Sequence, residues 1–337
     1  METVRVIESR AGVVECEHRV RVVLWKDGKA VRTAGDAEAR VYMRSSAKPI
    51  QALASVLTGA ADRFAMTDAE LALACGSHGG ESFHVETAAG LLAKIGLAPD
   101  ALQCGAHPPV FEPAARAIWA ASGAPTALHN NCSGKHSAML AACVASSWPT
   151  ANYLDPSHPL QVLNRANVAA FAGISVAEVH VGVDGCSAPV FAVPLVGAAR
   201  IFANLTNRNS KGGVPEPQRV ASRRICAALR ERPEMIAGTK RLDTDLLRAT
   251  GGRLVSKVGA EGLWCVGVSG ENAGLAVKCE DGTAPAAYWV GLTALRTLGF
   301  LSAAEWDALA PHRDLVRRNH RKIDVGVCEI QPAGALA

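Results

Sequence analysis

From Arg19 to Val31 the chain reads RVRVVLWKDGKAV, an alternation of polar and apolar residues broken by Lys26-Asp27-Gly28-Lys29. A period of two around an Asp-Gly pair predicts a β-hairpin arm with its turn at those four residues. The preceding METVRVIESR is also strand-like. After the β-like run ARVYM the period lengthens: RSSAKPIQALASVLTG reads as a helix, with Ser45 and Lys48 at i and i+3 of its opening turn, on one face. Thr67-Asp68-Ala69-Glu70 spells a capping box for a helix leading to Ser77. Gly96 stops the helix of ETAAGLLAKI, and Pro156 with Pro159 opens the amphipathic run LQVLNRANVAAF. HVGVDG reads as a strand delivering Asp184 and Cys186; LWCVGVSG and GLAVKCED flank a Gly-rich turn as a late hairpin, and two helices follow. Terminal strands around a helix-rich middle predict an α/β (α+β) fold, an antiparallel sheet covered by helices with a helix-rich lobe. No repeat, low-complexity tract or clear linker interrupts the chain, PTANYLDPSHP coming nearest to a junction, so residues 1–337 are expected to form a single catalytic domain of two intimately packed lobes.

Composition narrows the class. With 49% hydrophobic residues in 337, the chain can bury a large core and is not disordered. A formal charge of +4 and 5% aromatic residues supply neither an electrostatic footprint nor a stacking platform for nucleic acid. The basic run at 313–322 reads as the solvated face of a C-terminal segment. Ten cysteines would suit disulfides in an oxidising compartment, but the chain opens without the apolar core of a signal peptide, so a reducing, cytoplasmic setting is expected. No run reaches the roughly 18 apolar residues of a membrane span.

Three short stretches carry candidate chemistry: Ser45-Ser46-Ala47-Lys48, Gly76-Ser77-His78-Gly79 and Lys257-Val258-Gly259. A hydroxyl at a helix start lies near backbone N–H groups suited to an oxyanion, and the same field disfavours a protonated amine. A lysine in water keeps its proton up to a pKa of about 10.4, so one that serves as base near neutral pH has to be destabilised in its charged form by about 4 kcal/mol. Burial and a second lysine nearby both push that way, and Lys257, placed before an apolar β run, is the candidate for the second charge. The order of the three stretches resembles that of serine β-lactamases and penicillin-binding proteins, whose motifs are Ser-x-x-Lys, Ser-x-Asn and Lys-Thr-Gly. The middle and last motifs differ here, which points to a relative of that architecture.

With RSSAKPIQ, ACGSHGGE, HNNCSGKHSAML, GVDGCSAP, KVGAEG and LAVKCEDG taken together, the chain resembles the asparaginase II family, the rhizobial-type L-asparaginases, over nearly its whole length. The resemblance implies a homodimeric L-asparagine amidohydrolase with a β-lactamase- and glutaminase-like fold, two Ser–Lys pairs and a zinc ion beside them. Carried over by position, the pairs are Ser45 with Lys48 and Ser77 with Lys257, and the zinc ligands are Cys132, Lys135 and Cys186. Arg44, Asn131, His136 and Asp184 are the candidates for reading the substrate's charged groups. Without the resemblance, Cys132-Ser-Gly-Lys135-His136 suggests only a partial metal site, in which His136 is the more ordinary third ligand and the two cysteines read as buried small apolar residues. Lys135 and His136 therefore stand in competition. A complete serine–lysine set favours a zinc that positions substrate over one that activates water. The expected mechanism is an acyl-enzyme at Ser45, with Ser77 the alternative nucleophile. Rival readings are a β-lactamase-like serine hydrolase and a non-catalytic, zinc-containing amino-acid-binding protein.

Overall fold

The structure, a computed structural model, describes residues 2–207, 213–313 and 315–332. Eight of its strands form one antiparallel sheet: β1 (Val4–Arg10), β2 (Val13–Lys26), β3 (Lys29–Ala34), β7 (Leu254–Gly259), β8 (Leu263–Val268), β9 (Ala273–Cys279), β10 (Arg317–Arg318) and β11 (Asp324–Gln331), in the order β10-β11-β1-β2-β9-β8-β7 with β3 also on β2. A smaller sheet joins β4 (Arg40–Tyr42), β5 (His180–Val183) and β6 (Pro189–Pro194) in the order β4-β6-β5. The hairpin expected around Asp27-Gly28 is present: Lys26 faces Lys29, and φ values of +48° and +90° at the two turn residues give the mirror-image turn that suits the twist of its strands. The 14-residue β2 is the spine of the sheet, pairing β1 along its first half, β3 along its second and β9 on its other edge.

Alternation along the central strands builds two cores. Val22, Leu24, Trp264, Val266, Leu275 and Val277 pack with the Ala284–Thr297 helix on one face. Val23, Val255, Cys265 and Ala276 face the helix-rich lobe, in which the buried Leu195–Thr206 helix lies directly on the sheet. That helix comes so close that a Cβ at Gly267 would meet Thr206 Cγ2 at 2.6 Å and one at Gly274 would meet the Ala203 nitrogen at 2.5 Å.

One expectation is corrected at the C-terminus. Beyond the helices Ala284–Thr297 and Ala303–Ala308, the run DVGVCEIQ forms β11 and returns to β1, with Val6 opposite Ile330. The preceding basic segment carries the exposed β10, as expected of a solvated face, and Asp314 within it lies outside the described residues. No helix among the described residues is long and apolar enough to cross a membrane. Because a methyl at Gly274 has no room against the Leu195–Thr206 helix, Gly274→Ala is expected to destabilise the fold by about 1–3 kcal/mol, read as a lower urea midpoint with an unchanged slope.

Candidate active site

The chain leaves β4 through Met43 and enters a 3-10 turn, Arg44–Ala47, followed by the short helix Lys48–Gln51. Arg44 opens this turn at φ +48°, a left-handed conformation that costs a non-glycine residue of order 1 kcal/mol. The strain is held by the surroundings: Arg44 Nε donates to Asp184 Oδ1 at 2.7 Å, and Glu261 lies 3.6 Å from its Nη1. Ser46 Oγ donates to the Lys257 carbonyl at 2.9 Å, and a Cβ at Gly259 would meet the Met43 oxygen at 2.8 Å, so this turn and the end of β7 are in intimate contact.

Lys48, only 1% exposed, points inward from the start of its helix. Its Nζ donates to the carbonyls of Gly76 at 2.7 Å and Asn131 at 3.3 Å and lies 2.9 Å from Ser77 Oγ. The pairing differs from the expected one: the lysine four-carbon stem carries the amine past its own turn to Ser77, at the exit of the capped Asp68–Ala74 helix. Ser45 is half-buried, and its hydroxyl makes no hydrogen bond to another described residue. Ser77 is buried and its N–H donates to Ile236 O at 2.8 Å, which fixes the loop that presents it. The capping box that starts the helix is formed as expected, with Glu70 N–H donating to Thr67 Oγ1 and Thr67 N–H to the Glu70 carboxylate.

Lys257 comes from β7, the end strand of the sheet, as the sequence suggested, and is fully buried. Its Nζ reaches Asp243 Oδ2 at 3.2 Å and the Val258 carbonyl at 3.0 Å, with no hydrogen bond to Ser77. Asp243, in the first turn of the Leu242–Ala249 helix, also accepts from Val258 N at 2.9 Å and Ser256 Oγ at 2.7 Å. The N–H and C=O of Val258 are thus taken by the two members of a buried ion pair. Burial pushes the Lys257 pKa down to about 8; the Asp243 carboxylate works against that fall and the Lys48 charge adds to it.

Cys132, Lys135 and Cys186 converge beside this cluster. Lys135 Nζ donates to Cys186 Sγ at 3.0 Å, and Cys132 Sγ lies within hydrogen-bonding reach of Cys186 and 3.1 Å from Asn131 Oδ1. The hydrogen bond from Cys186, against the cost of burial, and the charges of Lys48 and Lys135 favour a thiolate at Cys132. Burial opposes the Lys135 charge, but the two cysteines outweigh it and hold the proton on its amine. Two sulfurs and one nitrogen are a donor set that suits zinc, once the amine has released its proton. His136 faces elsewhere. The Tyr153 hydroxyl accepts from Gln103 N and lies 2.7 Å from His136 Nδ1, and His136 Nε2 is buried and without a partner among the described residues. Asp184, two residues before Cys186, keeps its carboxyl below the usual range: burial raises it, and Lys135 and Arg44 more than offset that.

Two histidines that sequence reasoning left without a role hold these parts together. His78 accepts from Gly80 N on Nδ1 and faces Ser133 Oγ with Nε2 at 2.9 Å, tying the Ser77 loop to the first residue of the Ser133–Ala145 helix. Burial, with the nearby His84 and Lys48, keeps that ring neutral. His107 accepts from Asn131 N at 3.0 Å, anchoring the residue whose carbonyl receives Lys48. Asp243 was also missed; an acid in a first helical turn ordinarily reads as a surface residue complementing the helix dipole.

Among solved structures the chain is similar to Mglu in its native form, at 14% identity and a TM-score of 0.45, over 84% of this chain and 63% of that one. Mglu in its tris and glutamate form gives 13% identity and a TM-score of 0.40, over 83% and 59%. The chain thus spans a little under two thirds of the length of these structures. No curated protein matches the sequence. The profile of the L-asparaginase II family matches residues 6–330, nearly the whole chain. The chain therefore belongs to the L-asparaginase II family, a family of amidohydrolases.

Proposed function

We propose that the chain hydrolyses L-asparagine to aspartate and ammonia through an acyl-enzyme on a serine activated by lysine. The observation that carries this reading is the 2.9 Å contact between Lys48 Nζ and Ser77 Oγ in a buried setting. Once it has given up its proton, a lysine amine has two N–H bonds and one lone pair. The carbonyls of Gly76 and Asn131 engage the two N–H bonds, so the lone pair is left for the Ser77 hydroxyl. Ser77 Oγ then attacks the side-chain amide carbon while Lys48 takes its proton; Lys48 returns that proton to the leaving nitrogen, ammonia departs, and water hydrolyses the ester by the reverse sequence.

Ser45 supports a second reading. It is the more exposed serine and its hydroxyl is uncommitted among the described residues, so it is open to substrate, with its proton passing through Ser77 to Lys48. Lys257, its pKa lowered to about 8, would exchange protons within the same cluster. Arg44, oriented by Asp184 through Nε, keeps donors for the α-carboxylate, while the anionic Asp184 suits the α-amino group. Asn131 offers its carbonyl to Lys48, and His136 buttresses the turn of Lys135 through Tyr153.

Cys132, Lys135 and Cys186 would hold a zinc ion, whose chemistry there is to fix the charged end of the substrate. The proton transfers use only the serines and lysines. The two cores packed across one sheet support a single catalytic domain of two lobes. A cytoplasmic homodimer completes the reading, checked by light scattering for the assembly and by cell fractionation for the location.

Lys48→Met is expected to lower ammonia release from asparagine about 10²- to 10⁴-fold, with nitrocefin left intact by the parent chain. Intact mass of a trapped adduct assigns the nucleophile: loss of the adduct in Ser77→Ala and its retention in Ser45→Ala match the contact seen, and the opposite pattern assigns Ser45. No ammonia from the parent chain would leave only the binding-protein reading. Zinc content should fall by about one per chain in Cys132→Ala and Lys135→Ala and be unchanged in His136→Ala; chelation should raise KM while part of kcat survives. Asp243→Asn removes the carboxylate that keeps the proton on Lys257, so its pKa should drop below about 8 in a ¹⁵N-lysine NMR titration. An unfolded lysine holds its proton to about 10.4, so Lys257 makes the fold gain stability as pH rises from about 8 to 10, and the variant should extend that window downward.

A further inference from the structure

On the far side of β2, away from the serine–lysine cluster, a second set of metal-type donors comes together. His18 lies on β2, Cys279 ends β9, and Asp281 follows in the next turn; one ligand atom from each falls within 4.8 Å of the other two. His18 Nδ1 is 2.6 Å from Asp281 Oδ2, and Cys279 Sγ donates to Asp281 Oδ1 at 3.0 Å. Sheet register makes this meeting obligatory, since Val20 pairs with Cys279 and leaves His18 two residues further along the same edge.

We propose that His18, Cys279 and Asp281 form a second site for a zinc-class transition-metal ion, separate from Cys132, Lys135 and Cys186. Imidazole, thiolate and carboxylate are all ordinary zinc ligands, and three of them with an open fourth position leave room for water. His18 is 91% and Cys279 fully buried, whereas the Asp281 side chain is 45% exposed, so the cluster is walled on the protein side and open towards solvent. Ligands at zinc distances of about 2.0–2.3 Å sit roughly 3–4 Å from one another, so the cluster needs only a small opening to admit the ion.

The outer ring nitrogen supplies the independent observation. His18 Nε2 is buried and makes no hydrogen bond within the geometric limits, yet it lies 3.4 Å from Glu8 Oε1. Glu8 is itself buried and is clamped by Arg317, whose Nε donates to Oε2 at 2.8 Å. A metal-bound histidine commonly presents its other N–H to a carboxylate, which fixes the ring and raises its basicity. Glu8 stands where that partner is needed. An ion here would clip β2 to the turn after β9 and so add to the stability of the folded sheet.

Cobalt(II) titration of chelator-stripped protein tests the site. In Cys132→Ala/Cys186→Ala, where the other sulfur set is gone, about one cobalt per chain should bind with a thiolate-to-cobalt absorption band and raise Tm. Adding Cys279→Ser should remove the band and the Tm shift. Should the double variant fail to fold, native mass spectrometry of zinc-loaded parent and of His18→Ala/Cys279→Ser should differ by one zinc. Absence of the thiolate band from the first variant, or zinc content unchanged in the second comparison, overturns the proposal.

Discussion

Two lysine amines withdrawn from water organise the candidate site. An unpaired charge or an unsatisfied amine in a protein interior is costly, so each has to be met by acceptors brought from elsewhere in the chain. Lys48 is met by Gly76, Ser77 and Asn131, from two segments distant in sequence, and Lys257 by Asp243 from a third. The requirement to satisfy these amines draws the Ser77 loop, the Asn131 turn and the edge of the sheet onto the turn that carries Ser45. The chemical arrangement and the local packing are thus one constraint.

The same logic extends to the sulfur cluster. A lysine, two cysteines and an aspartate share a buried space in which Lys135 balances the sulfur charge and Asp184 balances Arg44. His78 acts as a neutral strut between the two clusters, one nitrogen accepting from its own loop and the other facing the Ser133 hydroxyl. Its neutrality matters, since a protonated ring could not accept from Gly80 N.

What was legible in the sequence was local. The Asp27-Gly28 hairpin, the Thr67–Glu70 cap and the strand leading to Cys186 each depend on residues a few positions apart, and each is present. The partners of the lysines were not legible, because Lys48 and Ser77 are 29 positions apart and the reach of a long side chain leaves no periodic trace. Adjacent residues on a helix point about 100° apart, so the choice between Lys135 and His136 depended on where Cys186 would come to lie. Asp243 was hidden because its burial comes from β7 packing over its helix, a long-range event. The strand β11 has a readable alternation, but the charged run before it reads as a solvated face and masks the return of the chain to the sheet.

Val258 carries a consequence beyond chemistry. The terminal strand of an open sheet exposes backbone groups that invite a foreign strand, a hazard that proteins manage with charges and covering elements. Here the carboxylate of Asp243 takes the Val258 N–H and the ammonium of Lys257 takes its C=O, imitating at one residue the hydrogen bonds of a missing neighbour. The ion pair that tunes an amine therefore also closes this stretch of the sheet's edge.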